Sequence, residues 1–141
     1  MAYDKLFLAL LGTSSAHADA SRKEFAELGL TEGQPKILYI LRRNPDILQK
    51  DLAALCGVRP PTLTVLLQKM EAKNLIYKET CSVSGGKKAY KIHLTDEGKA
   101  ISERLEVVVE NLEERGFSGF SPDERKTLLN LLCKVENNMK T

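Results

Sequence analysis

The chain has 141 residues, of which 43% are hydrophobic and 28% charged, and its formal net charge is +2. That length accommodates one domain, or two small lobes sharing helices, and the near-neutral balance excludes nucleic-acid binding by bulk charge alone. No apolar run is long enough to span a membrane and no basic-then-apolar leader opens the chain, so the expectation is a soluble protein of the cytoplasm with no membrane partner.

In chain order, residues 2 to 28 read as a helix, with Tyr3, Leu6, Phe7, Leu10 and Leu11 forming an apolar stripe. Gly12-Thr13-Ser14-Ser15 weaken it and invite a kink or a break, before Ala16, Ala18 and Ala20 favour helix again. Thr31 and Gln34 match a capping box, and the helix that follows, Glu32 to Arg43, is expected to bury Ile37, Leu38 and Leu41 until Asn44-Pro45 ends it.

Residues 48 to 95 carry the densest pattern. A first short helix places its apolar load on Leu52, Ala53 and Leu55 and ends at Gly57, which takes positive φ at little cost. Val58 follows as an apolar plug. Pro60 and Pro61 open a second helix, where a missing N–H costs nothing. Leu63, Leu66, Leu67 and Met70 face a core, while Pro61, Thr64, Val65 and Gln68 lie on the opposite side. Asn74 stands where a helix ends in a left-handed residue. Leu75-Ile76-Tyr77 begin a strand, residues 82 to 88 form a glycine-rich basic hairpin tip, and Tyr90, Ile92 and Leu94 alternate with Lys91 and His93 as a half-buried strand. Helix, tight turn, helix, strand, basic tip and strand make a winged helix-turn-helix, a unit whose second helix suits a major groove and whose wing lysines, Lys87 and Lys88, reach phosphate or a narrow minor groove.

Thr95 is an N-cap with Asp96 and Glu97 in the first turn, where the helix dipole favours negative charge. Ile101, Leu105, Val108 and Leu112 then form one stripe. Ser121-Pro122-Asp123-Glu124 starts a further helix with a second capping box, followed by Leu128, Leu131, Leu132 and Val135. The N-terminal helix and these two C-terminal helices carry more apolar surface than a small winged lobe can cover, so a twofold homodimer is expected. The fold class is therefore mainly α with a small β-hairpin wing. Residues 1–30 supply an N-terminal dimerisation helix, residues 31–95 the winged helix-turn-helix lobe and residues 96–141 the C-terminal dimerisation helices.

The charge is unevenly placed. Residues 1–58 hold seven Lys/Arg and seven Asp/Glu, residues 59–91 seven and two, and residues 92–141 seven and ten. The basic excess sits on the second helix of the helix-turn-helix and on the wing, where phosphate contacts to double-stranded DNA would be made.

With those residues in place, the chain resembles the MarR family of bacterial transcription regulators. Five phrases carry the resemblance: Leu30-Thr31-Glu32-Gly33-Gln34; Gln49-Lys50-Asp51-Leu52-Ala53; Gly57-Val58-Arg59-Pro60-Pro61-Thr62-Leu63-Thr64; Met70-Glu71-Ala72-Lys73-Asn74-Leu75-Ile76; and Leu94-Thr95-Asp96-Glu97-Gly98. It implies a homodimer whose terminal helices interlock and whose lobes each contact half of a pseudo-palindromic operator. It also implies a small-molecule effector, held between the dimerisation helices and the lobe, that weakens DNA binding. Ser14, His17, Tyr39, Arg42 and Arg43 are polar groups available to such a pocket, although surface or phosphate contact explains both arginines equally well.

The chain departs from the family where the wing usually carries Asp-Arg-Arg; Gly86, Lys87 and Lys88 stand there. Lysine is a mobile point charge and not a planar fork, so a less geometrically fixed wing contact is expected. Leu48 occupies the first helix's usual Ser or Thr cap position, which leaves Asp46 as the expected cap. Base reading then falls to Arg59, Thr62, Thr64 and Gln68, with Pro61 and Val65 touching thymine methyls and Lys69 and Lys73 touching phosphate.

Other chemistries find little support. Cys56, Cys81 and Cys133 have no metal spacing and fit reduced thiols, Cys56 in the core and Cys81 on the wing as the most exposed candidate for a redox switch. His17 and His93 are too isolated for a metal site, no cofactor motif is present, and no catalytic set argues for an enzyme. A winged helix serving as a protein-interaction module is the alternative to a DNA-binding regulator, and the missing wing arginines are its support.

Overall fold

The computed structural model describes residues 4–140. Its elements are α1 (Leu6–Glu27), α2 (Gln34–Arg43), β1 (Ile47–Leu48), α3 (Gln49–Cys56), α4 (Pro60–Ala72), β2 (Ile76–Val83), β3 (Lys87–Leu94), α5 (Asp96–Gly116) and α6 (Pro122–Met139). The chain divides into two compact units, Met1–Val109 and Glu110–Thr141, with α5 passing from the first into the second.

The first unit has one core. Ile37, Leu38 and Leu41 of α2, Leu52, Ala53 and Cys56 of α3, Leu63, Leu67 and Met70 of α4, Ile76 and Ile92 of the strands, and Leu105 of α5 are all buried in it. The periodicity anticipated most of these positions. Leu55 is a correction: it is 54% exposed, and Cys56 takes its place inside. In an eight-residue helix the buried arc spans Leu52, Ala53 and Cys56, one turn apart, and Leu55 falls outside it. Burial pushes the Cys56 thiol above its ordinary pKa, which keeps it protonated and unreactive at neutral pH.

The sheet is antiparallel with order β1-β3-β2, and β1 pairs Ile47 with Ile92 and Leu48 with Lys91. A two-residue strand has no period to read, so β1 was invisible in the sequence. β2 and β3 pair from Ile76↔Leu94 out to Val83↔Lys87. The hairpin tip is therefore shorter than residues 82–88: it is a single 3-10 turn, Ser84–Gly86, with Gly85 and Gly86 at positive φ. Tyr90, expected inside, is exposed because it lies beyond the end of the lobe core.

Gly57 (φ 66°) and Asn74 (φ 60°) close α3 and α4 in the left-handed region, as their residue types require. Thr95 caps α5, its Oγ1 accepting from the Gly98 N–H at 3.0 Å and donating to the Asn74 carbonyl. Ser121 and Glu124 form the reciprocal box at the start of α6. Three local expectations fail. α1 runs unbroken through Gly12-Thr13-Ser14-Ser15, where the Thr13 hydroxyl donates back to the Ala9 carbonyl at 2.7 Å. The Thr31/Gln34 box is half made: Gln34 Oε1 accepts from the Thr31 N–H at 3.0 Å, but left-handed Gly33 is the N-cap of α2, which starts two residues late. Asp46 does not cap α3. It turns the chain at φ 62°, and its carboxylate lies 3.2 Å from His93 Nδ1.

Apolar side chains on the terminal helices are left uncovered. On α1, Leu6 is 90% and Phe7 70% exposed, with Leu10 and Leu11 beside them; Tyr3 lies outside the described residues. In the second unit, Leu129, Leu131, Leu132, Val135 and Met139 of α6 are exposed. The α5–α6 turn is held within that unit by Arg125, whose Nη2 donates to the Phe117 carbonyl at 3.2 Å. Among the described residues, no helix is long and apolar enough to cross a membrane.

Candidate nucleic-acid interface

The surface begins with α3 and α4, joined by the Gly57 turn and packed on each other through Leu52, Cys56, Leu63 and Leu67. Burying those side chains fixes which side of α4 points outward. Arg59, Pro61, Thr62, Val65, Gln68 and Lys69 are exposed, so six of the expected contact residues share the free surface of one helix. Pro60 and Pro61 carry no N–H and the Leu63 N–H bonds the Arg59 carbonyl, so the first turn leaves the Thr62 N–H for an acceptor such as phosphate.

Thr64 is placed differently. Its hydroxyl donates to the Pro60 carbonyl at 3.0 Å and accepts from Gln49 Nε2 at 3.3 Å, so it ties the start of α3 to the first turn of α4. Lys73 is a correction to the expected phosphate contacts. Its ammonium donates to the Gly29 carbonyl at 2.9 Å and to Gln34 Oε1 at 3.0 Å, which latches the end of α4 to the α1–α2 turn. These partners lie 44 and 39 residues away, beyond any local pattern.

The wing carries Lys87 and Lys88, both exposed, at the first two positions of β3. At its base, His93 stacks on Tyr77 with ring centroids 5.0 Å apart and contacts Asp46. Cys81, expected to be the most exposed thiol, is half-buried in β2, whereas Cys133 on α6 is exposed.

The polar groups considered for an effector do not form one open set. Ser14 and His17 are exposed on α1. Arg43 donates to both oxygens of Glu106, at 2.6 and 2.9 Å, with its guanidinium 3.6 Å from the centre of the Tyr39 ring. Arg42 donates to the buried Ser102 hydroxyl at 3.1 Å and lies 3.6 Å from the same carboxylate. Ser102 and Glu106 sit four residues apart on α5, some sixty residues from their partners, which is why the sequence did not show them. A cavity of about 280 Å³ opens between the end of α2, the wing base and α5, lined by the paired Arg42 and Ser102 and by Tyr77, His93 and Lys99 among others.

The Arg43 hydrogen bonds hold Glu106 below the usual carboxylate range, and Glu106 in turn raises Arg43. A carboxylate whose pKa falls on folding stabilises the fold above its unfolded value and loses that contribution as pH falls through its folded value. Glu106→Gln should therefore lower Tm at pH 7, and the gap to the parent should close below about pH 4, where carboxylates protonate. Thermal melts across that range decide it, and a gap of constant size would remove the ion pair as its cause.

A helix-turn-helix with a free, polar second helix, followed by a lysine-tipped hairpin, defines a winged helix-turn-helix protein. The family model described as MarR family matches residues 28–85. An uncharacterized HTH-type transcriptional regulator of Bacillus subtilis (strain 168), YybA, is 32% identical over 120 residues, covering 85% of this chain and 79% of that protein. The solved structure of the transcriptional regulator SlyA superposes with a TM-score of 0.82 at 26% identity, over 96% of this chain and 94% of that one. The transcriptional repressor CouR, bound to a 23-mer DNA duplex, gives 0.83 at 25% identity, over 94% and 93%. The chain belongs to the MarR family: it is a winged helix-turn-helix transcription regulator, of a class that binds DNA and is not enzymatic.

Proposed function

We propose that this chain is a homodimeric repressor that occupies a pseudo-palindromic operator and is released from it by a small-molecule effector. The observation that carries the reading is the row of free side chains on α4, with the basic wing following in the same lobe. Residues 31–95 act as the DNA-binding lobe; residues 1–30 and 96–141 supply the dimerisation helices. The exposed apolar side chains of α1 and of α6 support a second copy as their cover. Such a protein works in the cytoplasm, beside the DNA it controls.

On this reading two α4 helices enter successive major grooves. Arg59, Thr62 and Gln68 face base edges, Pro61 and Val65 face thymine methyls, and Lys69 faces phosphate. Thr64 serves by holding α4 in place. An effector that prefers a different spacing of the lobes shifts the population away from the DNA-bound form. The cavity beside Arg42 and His93 is a place from which the wing base is reachable.

Selection of binding sequences from a random DNA pool tests the reading. The expected product is a twofold-symmetric motif with half-sites about one helical turn apart. Weak, salt-sensitive retention without a motif would instead favour a protein-interaction module. Within the motif, Gln68→Ala should change the preferred base at one position per half-site while leaving non-specific affinity nearly intact. An unchanged preference would show that Gln68 reads nothing.

A further inference from the structure

The β2–β3 register sorts the wing residues onto two faces of different chemistry. One face continues outward from the lobe core: Ile76 and Ile92 are buried at its base, against the side on which α3 and α4 pack. Farther out, the same face carries Lys78, Thr80 and Ser82 on β2 and Lys88 and Tyr90 on β3, with Thr80 opposite Tyr90 and Ser82 opposite Lys88. Two ammonium groups and three hydroxyls project there, and no carboxylate does. The other face carries Glu79 directly opposite Lys91, so its charge is largely balanced, and Lys87 stands on that face at the tip.

Tyr90 sits between the two lysines of the unbalanced face. Lys78 Nζ lies 5.6 Å and Lys88 Nζ 6.0 Å from the centre of its ring, and Tyr90 is 39% exposed. At these distances an aromatic face attracts an ammonium group. Two like charges held over one ring repel each other, and an anion set between them removes that repulsion. The hydroxyls of Thr80 and Ser82 along the same strip are neutral donors for the remaining oxygens of a phosphate.

The geometry points to a single-faced wing: Lys78 and Lys88 grip the DNA phosphate backbone together, Tyr90 is the residue that positions them, and Lys87 takes no comparable part. This rests on the DNA-binding reading and deepens it, since it assigns the wing contact to two residues, Lys78 and Tyr90, that the sequence did not mark. Tyr90 gives the mobile lysine stems a common orientation along that face.

The test measures affinity of the full chain for a DNA duplex carrying the selected motif, and for an unrelated duplex, across a salt series. Lys78→Ala and Lys88→Ala should each weaken binding to both duplexes and each make the slope of log affinity against log salt shallower by about 0.9 per lobe engaged. Lys87→Ala should change the slope by much less. Tyr90→Leu should weaken binding about two- to fivefold, the range a cation–π contact of this exposure gives. Tyr90→Phe keeps the ring and should retain the parental affinity. Equal slopes for the Lys87 and Lys88 variants would overturn the single-faced wing. Tyr90→Leu indistinguishable from the parent would overturn the positioning role, as would Tyr90→Phe falling as far as Tyr90→Leu. Circular dichroism melts of each variant separate these losses from unfolding. Absence of salt-dependent binding by the parent chain would sink the DNA-binding reading itself, whereas Lys69→Ala weakening binding while the wing variants do not would sink only this inference.

Discussion

Gly98→Ala should be the most damaging single-methyl change at the junction where α5 leaves the winged lobe. Gly98 is buried in the first turn of α5, and a Cβ there would fall well inside contact distance of the Leu75 carbonyl oxygen. That oxygen belongs to the main chain and is held in place: it accepts the Thr95 N–H at 3.1 Å, and the preceding Asn74 carbonyl accepts the Thr95 hydroxyl. A flexible side chain would swing away, but here α5 or the exit of α4 must move and the two hydrogen bonds must stretch. Overpacking of a well-filled site typically costs about 1–3 kcal/mol, and an immobile backbone partner places this case at or above the top of that range. Against a typical domain stability of about 5–15 kcal/mol, that is a large fraction. Urea denaturation should show a much lower midpoint. The comparison is Gly116→Ala at the end of the same helix, where nothing lies within 4 Å of the added methyl. There the gain in helix propensity should leave stability unchanged or raise it by up to about 1 kcal/mol. Equal midpoints for the two variants would show that the α4–α5 junction is not as tight as its geometry.

The second large effect is on assembly. Phe7→Glu combined with Leu11→Glu places two carboxylates on the exposed apolar side of α1 without touching the lobe core. Burying a large apolar side chain is worth roughly 1.5–3 kcal/mol, and burying an unpaired carboxylate in its place is strongly unfavourable. The variant should sediment as a monomer at concentrations where the parent is a dimer. Linking two binding modules commonly raises affinity by about 10²–10⁴-fold, so operator binding should fall by a comparable factor while the lobe keeps its fold. Leu55→Glu is the control for oligomeric state: Leu55 is as exposed as several leucines of α1 and α6, but it sits on α3. A parent chain that sediments as a monomer, or a Leu55 variant that dissociates as readily, would remove α1 from the interface.

Both expectations depend on contacts of different range, and this is also what separated readable from unreadable features. Gly57, Asn74, Thr95 and Ser121 punctuate helices, and each does so by an interaction spanning a few residues. The apolar spacing of α2 and α4 likewise located Ile37, Leu38, Leu41, Leu63, Leu67 and Met70 in the core, because a helix buries one arc whatever lies opposite it. The exposed surface of α4 followed by subtraction.

The sequence alone therefore determined the order of the helices and of the hairpin strands, most of the lobe core and the helix whose outer surface is free, since local periodicity and caps act over one or two turns. Tertiary structure alone decided what each polar side chain does when its partner is distant. It turned Lys73 inward to Gly29 and Gln34, closed Arg42 and Arg43 onto Ser102 and Glu106, and recruited Thr64 to hold α3 against α4. It added β1 beside β3 and, through the strand register, brought Lys78 of β2 onto the same face of the wing as Lys88 and Tyr90 of β3. Long side chains reach whichever acceptor folding brings within about 3 Å, and that pairing is set by packing between elements dozens of residues apart, which no local pattern encodes.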